Sequence, residues 1–309
     1  MTTTSGTEVR RIEPFRLRPW FSPRVWGKTD LRPWYSDTGT TEKVGEAWLT
    51  GPECVADTGE LAGRRFGEIA KEFAGELGGG EFPLLVKILF PSDKLSVQVH
   101  PDDESAQATG GARGKTECWY VLEADADGGV FCGLVDGVQL EDVATAVRGG
   151  AVGAMEELLK WVPVSAGDMV FVDAGTVHAI GPGVVLLETQ QMSDTTYRLY
   201  DYGRPRELHL DAGLRALRIK TRAGKVGSKK MEGFTRLIAE KYFVVDRFDL
   251  AEGTTIKMEM DGLGCVVGLR GRGAVNEVAF EAGQAVVVPV GTVTVSSAGG
   301  TSFVRCRQP

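Results

Sequence analysis

Residues 167–178 read GDMVFVDAGTVH: a glycine, a short apolar run, Asp173, a small-residue turn, and a histidine. Met169–Val172 is apolar and β-branched, bounded by turn-forming residues, so it reads as a buried strand, with a second strand opening at His178. The same pattern returns at 283–294 as GQAVVVPVGTVT, without a gap, ending on Thr294 where the first copy has His178. Two copies imply two related β-units, the first with a chemistry-bearing residue that the second lacks.

The surroundings support a mainly β chain. Forty-one glycines punctuate short apolar stretches across 309 residues, a length sufficient for about two domains. Helical spacing is confined to about 64–79 (RRFGEIAKEFAGELGG), about 140–162 (LEDVATAVRGGAVGAMEELLKWV) and a short run at 210–219. The basic, apolar-poor stretch 221–234 reads as a linker, which divides the chain into 1–225, a metal-binding catalytic unit with helical insertions, and 226–309, a degenerate second β-unit.

Composition narrows the function. The net charge is −7 and no Lys/Arg block forms a nucleic-acid arm, so no nucleic-acid partner is expected. The longest apolar run, PLLVKILF (83–90), is too short for a membrane span and carries Lys87, so no membrane partner is expected. The N-terminus has no secretory pattern, and five scattered cysteines without CxxC spacing suit a cytoplasmic protein. Oligomeric state is not legible.

Residues 95–100, LSVQVH, alternate apolar Leu95, Val97 and Val99 with polar Ser96, Gln98 and His100. Period-two spacing puts the polar three on one face of a strand. Lys115, Glu117 and Trp119 share a face of another strand by the same rule, with Cys118 turned away.

GDMVFVDAGTVH resembles the second motif of the cupins, with Asp173 in place of the usual proline; Gln98-x-His100 followed by Glu117 stands where cupins have their first motif. VGEAW (44–48), PLLVKILFPSDKLSVQVHPDD (83–103), GKTECWYVL (114–122), AGTVHAIGPG (174–183) and ETQQMSDTTYRLYDYGR (188–204) are together similar to the short bacterial form of type I mannose-6-phosphate isomerase. That resemblance implies a cupin jelly-roll barrel followed by a degenerate cupin-like β-domain. It also implies one Zn2+ per chain, held by Gln98, His100, Glu117 and His178. Two imidazoles, a carboxylate and an amide suit zinc without sulfur; Gln98 alternatively serves as a hydrogen-bonding amide beside the metal. His209, the remaining histidine, falls at a helix start and receives no chemical role.

The resemblance implies a small sugar-phosphate substrate and conversion of mannose 6-phosphate to fructose 6-phosphate through a cis-enediol. Arg198, Lys115 and Asp194 are the candidate catalytic residues, and Ser96, Lys87 and Arg198 the candidate substrate-binding ones. An unpaired ammonium buried at Lys87 would cost several kcal/mol, so it either reaches a polar cavity or snorkels from an edge strand. The proton carrier stays open among Asp194, Lys115, a zinc-bound water and a histidine. Two other classes compete: a cupin metal-dependent oxygenase built on His100, Glu117 and His178, and a non-catalytic sugar-binding cupin. VGEAW has no assigned chemistry.

Overall fold

The computed structural model describes residues 12–149 and 153–309. Two β-sandwiches stack face to face. The first pairs a seven-stranded sheet with a five-stranded one; the second pairs an eight-stranded sheet with a four-stranded one. In each sandwich the two sheets remain separate, and no continuous ladder closes into a barrel among the described residues.

The internal repeat is visible in the topology. The first sandwich uses, in chain order, Leu84–Leu89, Val97–Val99, Glu117–Ala124, Gly129–Leu134, Leu159–Pro163, Met169–Val172, His178–Ile180 and Val184–Gln191. The second uses Val244–Leu250, Thr255–Met260, Gly264–Arg270, Arg272–Val275, Val278–Glu281, Ala285–Val288, Gly291–Ser297 and Thr301–Arg307. In both, the sixth, third, eighth and first strands are neighbours in one sheet, and the second, seventh, fourth and fifth in the other. Gly167 and Gly283 open the repeated motif with positive φ (96° and 78°), a conformation that glycine adopts without steric cost. The phase then differs. His178 is buried inside its sandwich, whereas Thr294 faces solvent between the inward Val293 and Val295. The second copy has therefore lost the inward position as well as the histidine.

Four apolar layers hold the stack together. Trp119, Val121, Val170, Val172, Leu186 and Ile180 fill the first sandwich. Cys118, Tyr120, Met169, Phe171 and Leu187, on the opposite faces of the same strands, pack against Val245, Cys265, Val287, Val304 and Cys306 of the eight-stranded sheet. Phe248, Phe280 and Phe303 centre the second sandwich. The helices Leu140–Gly149 and Leu210–Ala216 cover the outer face of the five-stranded sheet over Val97, Val99, Val177 and Ala179.

The chain crosses between the sandwiches more than once. Phe15–Arg18 pairs with Ala285–Val288, and Val55–Ala56 pairs with Phe15–Arg18, so early residues extend the late sheet. Within 221–234, Gly224–Val226 pairs with Met169–Phe171 of the first sandwich, and Lys229–Lys230 with Thr235–Arg236 of the second.

The expected helices are shorter than their sequence patterns. The first covers Phe66–Glu72 and packs Phe66 on Phe15 and Phe82; Gly78, Gly79 and Gly80, all at positive φ, turn the chain away. The second expectation, 140–162, needs correction at its end. Helix covers Leu140–Gly149, a 3-10 turn covers Glu156–Leu158, and Leu159–Pro163 is an edge strand; 150–152 lie outside the described residues. Apolar Leu159, Trp161 and Val162 mimic helical spacing, but Trp161 packs edge-on against Phe131 over Gly129 and Gly181, where a Cβ would come within 2.3 and 3.2 Å of the indole. That tertiary contact selects the strand.

No helix among the described residues is long and apolar enough to cross a membrane.

Candidate functional site

Three strands at one end of the first sandwich aim polar groups inward. Gln98 and His178 are direct antiparallel partners, and Glu117 opens the strand of the facing sheet. His100, Glu117 and His178 are all buried, and one ligand atom from each lies within 4.8 Å of the others. Glu117 Oε2 is 3.6 Å from His100 Nε2, and Glu117 Oε1 is 3.5 Å from His178 Nε2.

Backbone carbonyls set both imidazole tautomers. His100 Nδ1 lies 2.9 Å from the Thr195 carbonyl, and His178 Nδ1 lies 2.9 Å from the Thr176 carbonyl. A carbonyl only accepts, so each Nδ1 carries the proton and each Nε2 keeps a lone pair directed into the cluster. Burial holds the His100 pKa well below its ordinary range, with Lys115 and His178 adding to the effect. Burial likewise brings His178 down to about 4, against its Thr176 bond and with Lys115 helping. Both rings are neutral at pH 7. Glu117 Oε1 is buried with no hydrogen-bond partner, an arrangement that costs about 1–3 kcal/mol unless something else satisfies it. Two imidazole lone pairs and an orphaned carboxylate oxygen fit a divalent metal ion.

Gln98 adjoins this group. Its amide nitrogen lies 3.2 Å from His178 Nε2, and its oxygen accepts from Ser96 Oγ at 3.3 Å. A half-turn about the last side-chain torsion exchanges the two, turning the oxygen to the cluster while Ser96 becomes an acceptor. Leu95 does not follow the strand alternation: it packs inside with Leu89 and Trp26, because regular pairing starts at Val97.

A cleft of about 480 Å³ opens beside the cluster, lined by Ser96, Gln98, Lys87, Lys115, Asp194 and Arg198 among others. Lys115 Nζ donates to Glu117 Oε2, lies 3.1 Å from His100 Nε2, and is 3.8 Å from Glu188. Lys87 is only 3% exposed. It reaches Asp194 at 3.2 Å, Glu188 at 3.6 Å and Glu46 at 3.8 Å, and stands 4.7 Å from the centre of the Trp48 ring. Burial disfavours the ammonium, but the three carboxylates outweigh it and raise its pKa, so Lys87 stays charged. Arg198 donates Nη1 to the Glu207 carbonyl, while its buried Nε has no hydrogen-bond partner. His209 caps the helix Leu210–Ala216 and clamps the Arg198 backbone from both sides: its amide donates to the Arg198 carbonyl at 2.8 Å, and its Nδ1 lies 3.3 Å from the Arg198 amide.

Two carboxylates of this cleft have no chemical role in the sequence reading, Glu46, at most a supporting or structural group there, and Glu188. Glu46 of VGEAW binds Arg24 through both oxygens, accepts from Trp48 Nε1 at 2.7 Å, and faces Lys87. Gly45 lets Arg24 lie flat across the strand, since a Cβ there would stand 2.5 Å from that of Arg24. Glu188 accepts from Trp119 Nε1 at 3.2 Å and lies between Lys87 and Lys115; burial raises its pKa to about 7 despite the two lysines. Both carboxylates stand within short apolar strands, a local signal, but their partners are far away in sequence.

Residues 15–120 match the family model "Phosphomannose isomerase type I, catalytic domain". The chain is 37% identical over 265 residues to mannose-6-phosphate isomerase ManA of Bacillus subtilis (strain 168), covering 80% of this chain and 82% of that one. It is 35% identical over 263 residues to the mannose-6-phosphate isomerase of Streptococcus mutans serotype c, covering 80% and 81%. The crystal structure of mannose 6-phosphate isomerase from Bacillus subtilis aligns with a TM-score of 0.83 at 28% identity, covering 96% of this chain and 100% of that one.

Proposed function

The chain belongs to the phosphomannose isomerase type I family, and on that premise we propose that it interconverts mannose 6-phosphate and fructose 6-phosphate. A proton moves between C2 and C1 of the open-chain sugar through a cis-enediol. His100, Glu117 and His178, with the Gln98 oxygen turned inward, would hold one Zn2+, which as a Lewis acid stabilises negative charge developing on the sugar oxygens.

The side chains of the cleft do the remainder. Lys115 and Arg198 place positive charge beside the position of the enediolate, in a buried setting where preorganised charge acts more strongly than in water. Lys87 and Ser96 line the same wall and bind the substrate's phosphate together with the free Arg198 Nε. Asp194, held by Lys87 at 3.2 Å, takes the proton from C2 and returns it to C1, while Lys115 Nζ gives a proton to O1 and recovers one from O2. Glu46 and Glu188 help keep Lys87 charged, and Glu188 lies beside both lysines. All five cysteines are buried free thiols, which suits action in the reducing cytoplasm.

The observation that carries this reading is the union, in one cleft, of a neutral two-histidine, one-carboxylate cluster with three cations, Lys87, Lys115 and Arg198. An oxygenase needs the cluster but not the cations, and a purely sugar-binding module needs neither. The test is a coupled assay of metal-loaded protein with mannose 6-phosphate, glucose 6-phosphate and free mannose in parallel. Turnover of the first well above the other two is expected. Equal turnover of free mannose would remove the phosphate-binding role, and no turnover of any of them would reject the isomerase.

A further inference from the structure

Lys115 precedes its strand, which starts at Glu117, so the sheet ladder alone does not fix it. Side-chain and backbone bonds from neighbouring segments fix it as well. Asp103 Oδ1 accepts from the Gly114 amide at 2.8 Å and from Gln191 Nε2 at 2.9 Å. Gln191 Oε1 accepts in turn from the Thr116 amide at 2.9 Å, while the Gln191 amide donates to the Thr116 carbonyl at 3.2 Å. The Lys115 amide donates to the Pro101 carbonyl at 2.9 Å. Gly114 presses onto the backbone at Asp102 and Asp103, where a Cβ would come within 2.4–2.5 Å of main-chain atoms. The Gly114 amide meets the Asp103 carboxylate directly, and the Thr116 amide meets it through Gln191.

Asp103 is itself held from the second sandwich. Tyr242, in the turn between the strands Thr235–Ala239 and Val244–Leu250, donates its hydroxyl to Asp103 Oδ2 at 2.6 Å, and Lys241 Nζ donates to that hydroxyl at 2.9 Å. Both carboxylate oxygens are thus engaged, one by each sandwich. The hydroxyl of Tyr242 is the start of a chain of hydrogen bonds that ends at the backbone on either side of Lys115.

We infer that Tyr242 and Asp103 are positioning residues, through which the second sandwich sets the location of Lys115 and Glu117 in the active site. The inference rests on the isomerase reading for the roles of those two groups. It gives the degenerate second β-unit a part in the reaction, although it contributes no group to the cleft. Breaking the chain at Tyr242 frees one oxygen of Asp103 and loosens Gly114–Thr116, and a displacement of about 1 Å at reacting groups can cost about 10²-fold in turnover.

The experiment uses the full-length, metal-loaded protein with Tyr242→Phe and Asp103→Asn. Tyr35→Phe is the control, since Tyr35 OH also crosses between the sandwiches, to the Gly283 carbonyl at 2.6 Å, but does not join this chain. Three quantities are measured: kcat and KM for mannose 6-phosphate, metal content, and amide hydrogen exchange at Gly114 and Thr116. Tyr242→Phe should lower kcat roughly tenfold, leave KM within about twofold and metal content unchanged, and speed exchange at both amides roughly tenfold. Asp103→Asn should do the same or more, and Tyr35→Phe neither. If Tyr242→Phe leaves exchange at Gly114 and Thr116 unchanged, or if Tyr35→Phe lowers kcat equally, the inference is overturned. If wild type lacks isomerase activity but Tyr242→Phe still speeds exchange at those amides, the isomerase reading fails while the structural coupling stands.

Discussion

Replacing Lys87 by methionine should destabilise the metal-free protein by an amount that grows with pH. The side chains are similar in length, so the change mainly removes one buried charge. Its three carboxylate partners respond differently. Asp194 has 52% of its side chain exposed and returns to water at little cost. Glu46 keeps Arg24 and the Trp48 indole, so its loss is about 1–2 kcal/mol. Glu188 is buried and already raised to about 7, chiefly by burial and against the pull of Lys115 and Lys87; without Lys87 its pKa rises further. A carboxyl raised above its unfolded value destabilises the fold as pH climbs from the unfolded to the folded pKa. Below about pH 7 Glu188 is protonated in both proteins, and the two differ only through Glu46 and Asp194. Above it, wild-type Glu188 ionises beside Lys87, while the variant must hold a proton or bury the charge with only Lys115, at 3.8 Å, to offset it. Each pH unit then adds about 1.4 kcal/mol, so the gap should widen by about 2 kcal/mol between pH 7 and 8.5. Urea denaturation followed by tryptophan fluorescence at pH 6, 7 and 8.5, with chelator present, measures this. A gap that is constant with pH, or largest at pH 6, would refute the reasoning.

Two further substitutions probe other links. Arg198→Ala should retain bound metal in elemental analysis while kcat drops about 10²–10³-fold, because it removes a preorganised cation and leaves the cluster untouched; near-normal kcat would take Arg198 out of the mechanism. Gly114→Ala should cost about 1–3 kcal/mol in chemical denaturation, since its Cβ would stand 2.4 Å from the Asp102 carbonyl carbon and only backbone movement relieves that; an unchanged midpoint would show that the close approach is easily relaxed.

What the sequence revealed about this molecule, and what it hid, follows from the range of the interactions. The motif at 167–178 and its echo at 283–294 are local patterns, and the two sandwiches repeat the same strand order. Alternation in Val97, Gln98 and Val99 is likewise local, and the sheet turns those residues to opposite sides. Leu95 broke the pattern because strand pairing starts two residues later. Pairing of Phe15–Arg18 with Ala285–Val288 was invisible, since a four-residue strand joins across about 270 positions on the strength of a few buried residues. Glu188 and Tyr242 have no signal of role in the sequence, and the partners of Glu46 are not legible there, for the same reason: each acquires its meaning from Lys87, Lys115 or Asp103, which only the fold brings near. The strand Leu159–Pro163 was obscured by an apolar spacing compatible with both helix and strand.

If metal cluster and cationic cleft form one isomerase site, removing His178 should abolish metal binding and turnover together. His178 contributes one of the two neutral imidazoles, and its ring is fully buried. Zinc content and mannose 6-phosphate turnover should be measured on the same preparations of wild type and His178→Ala. Wild type should carry about one zinc per chain and turn over mannose 6-phosphate, and both should fall together in the variant. A variant that keeps full zinc, or that isomerises mannose 6-phosphate at the wild-type rate without it, would contradict the account.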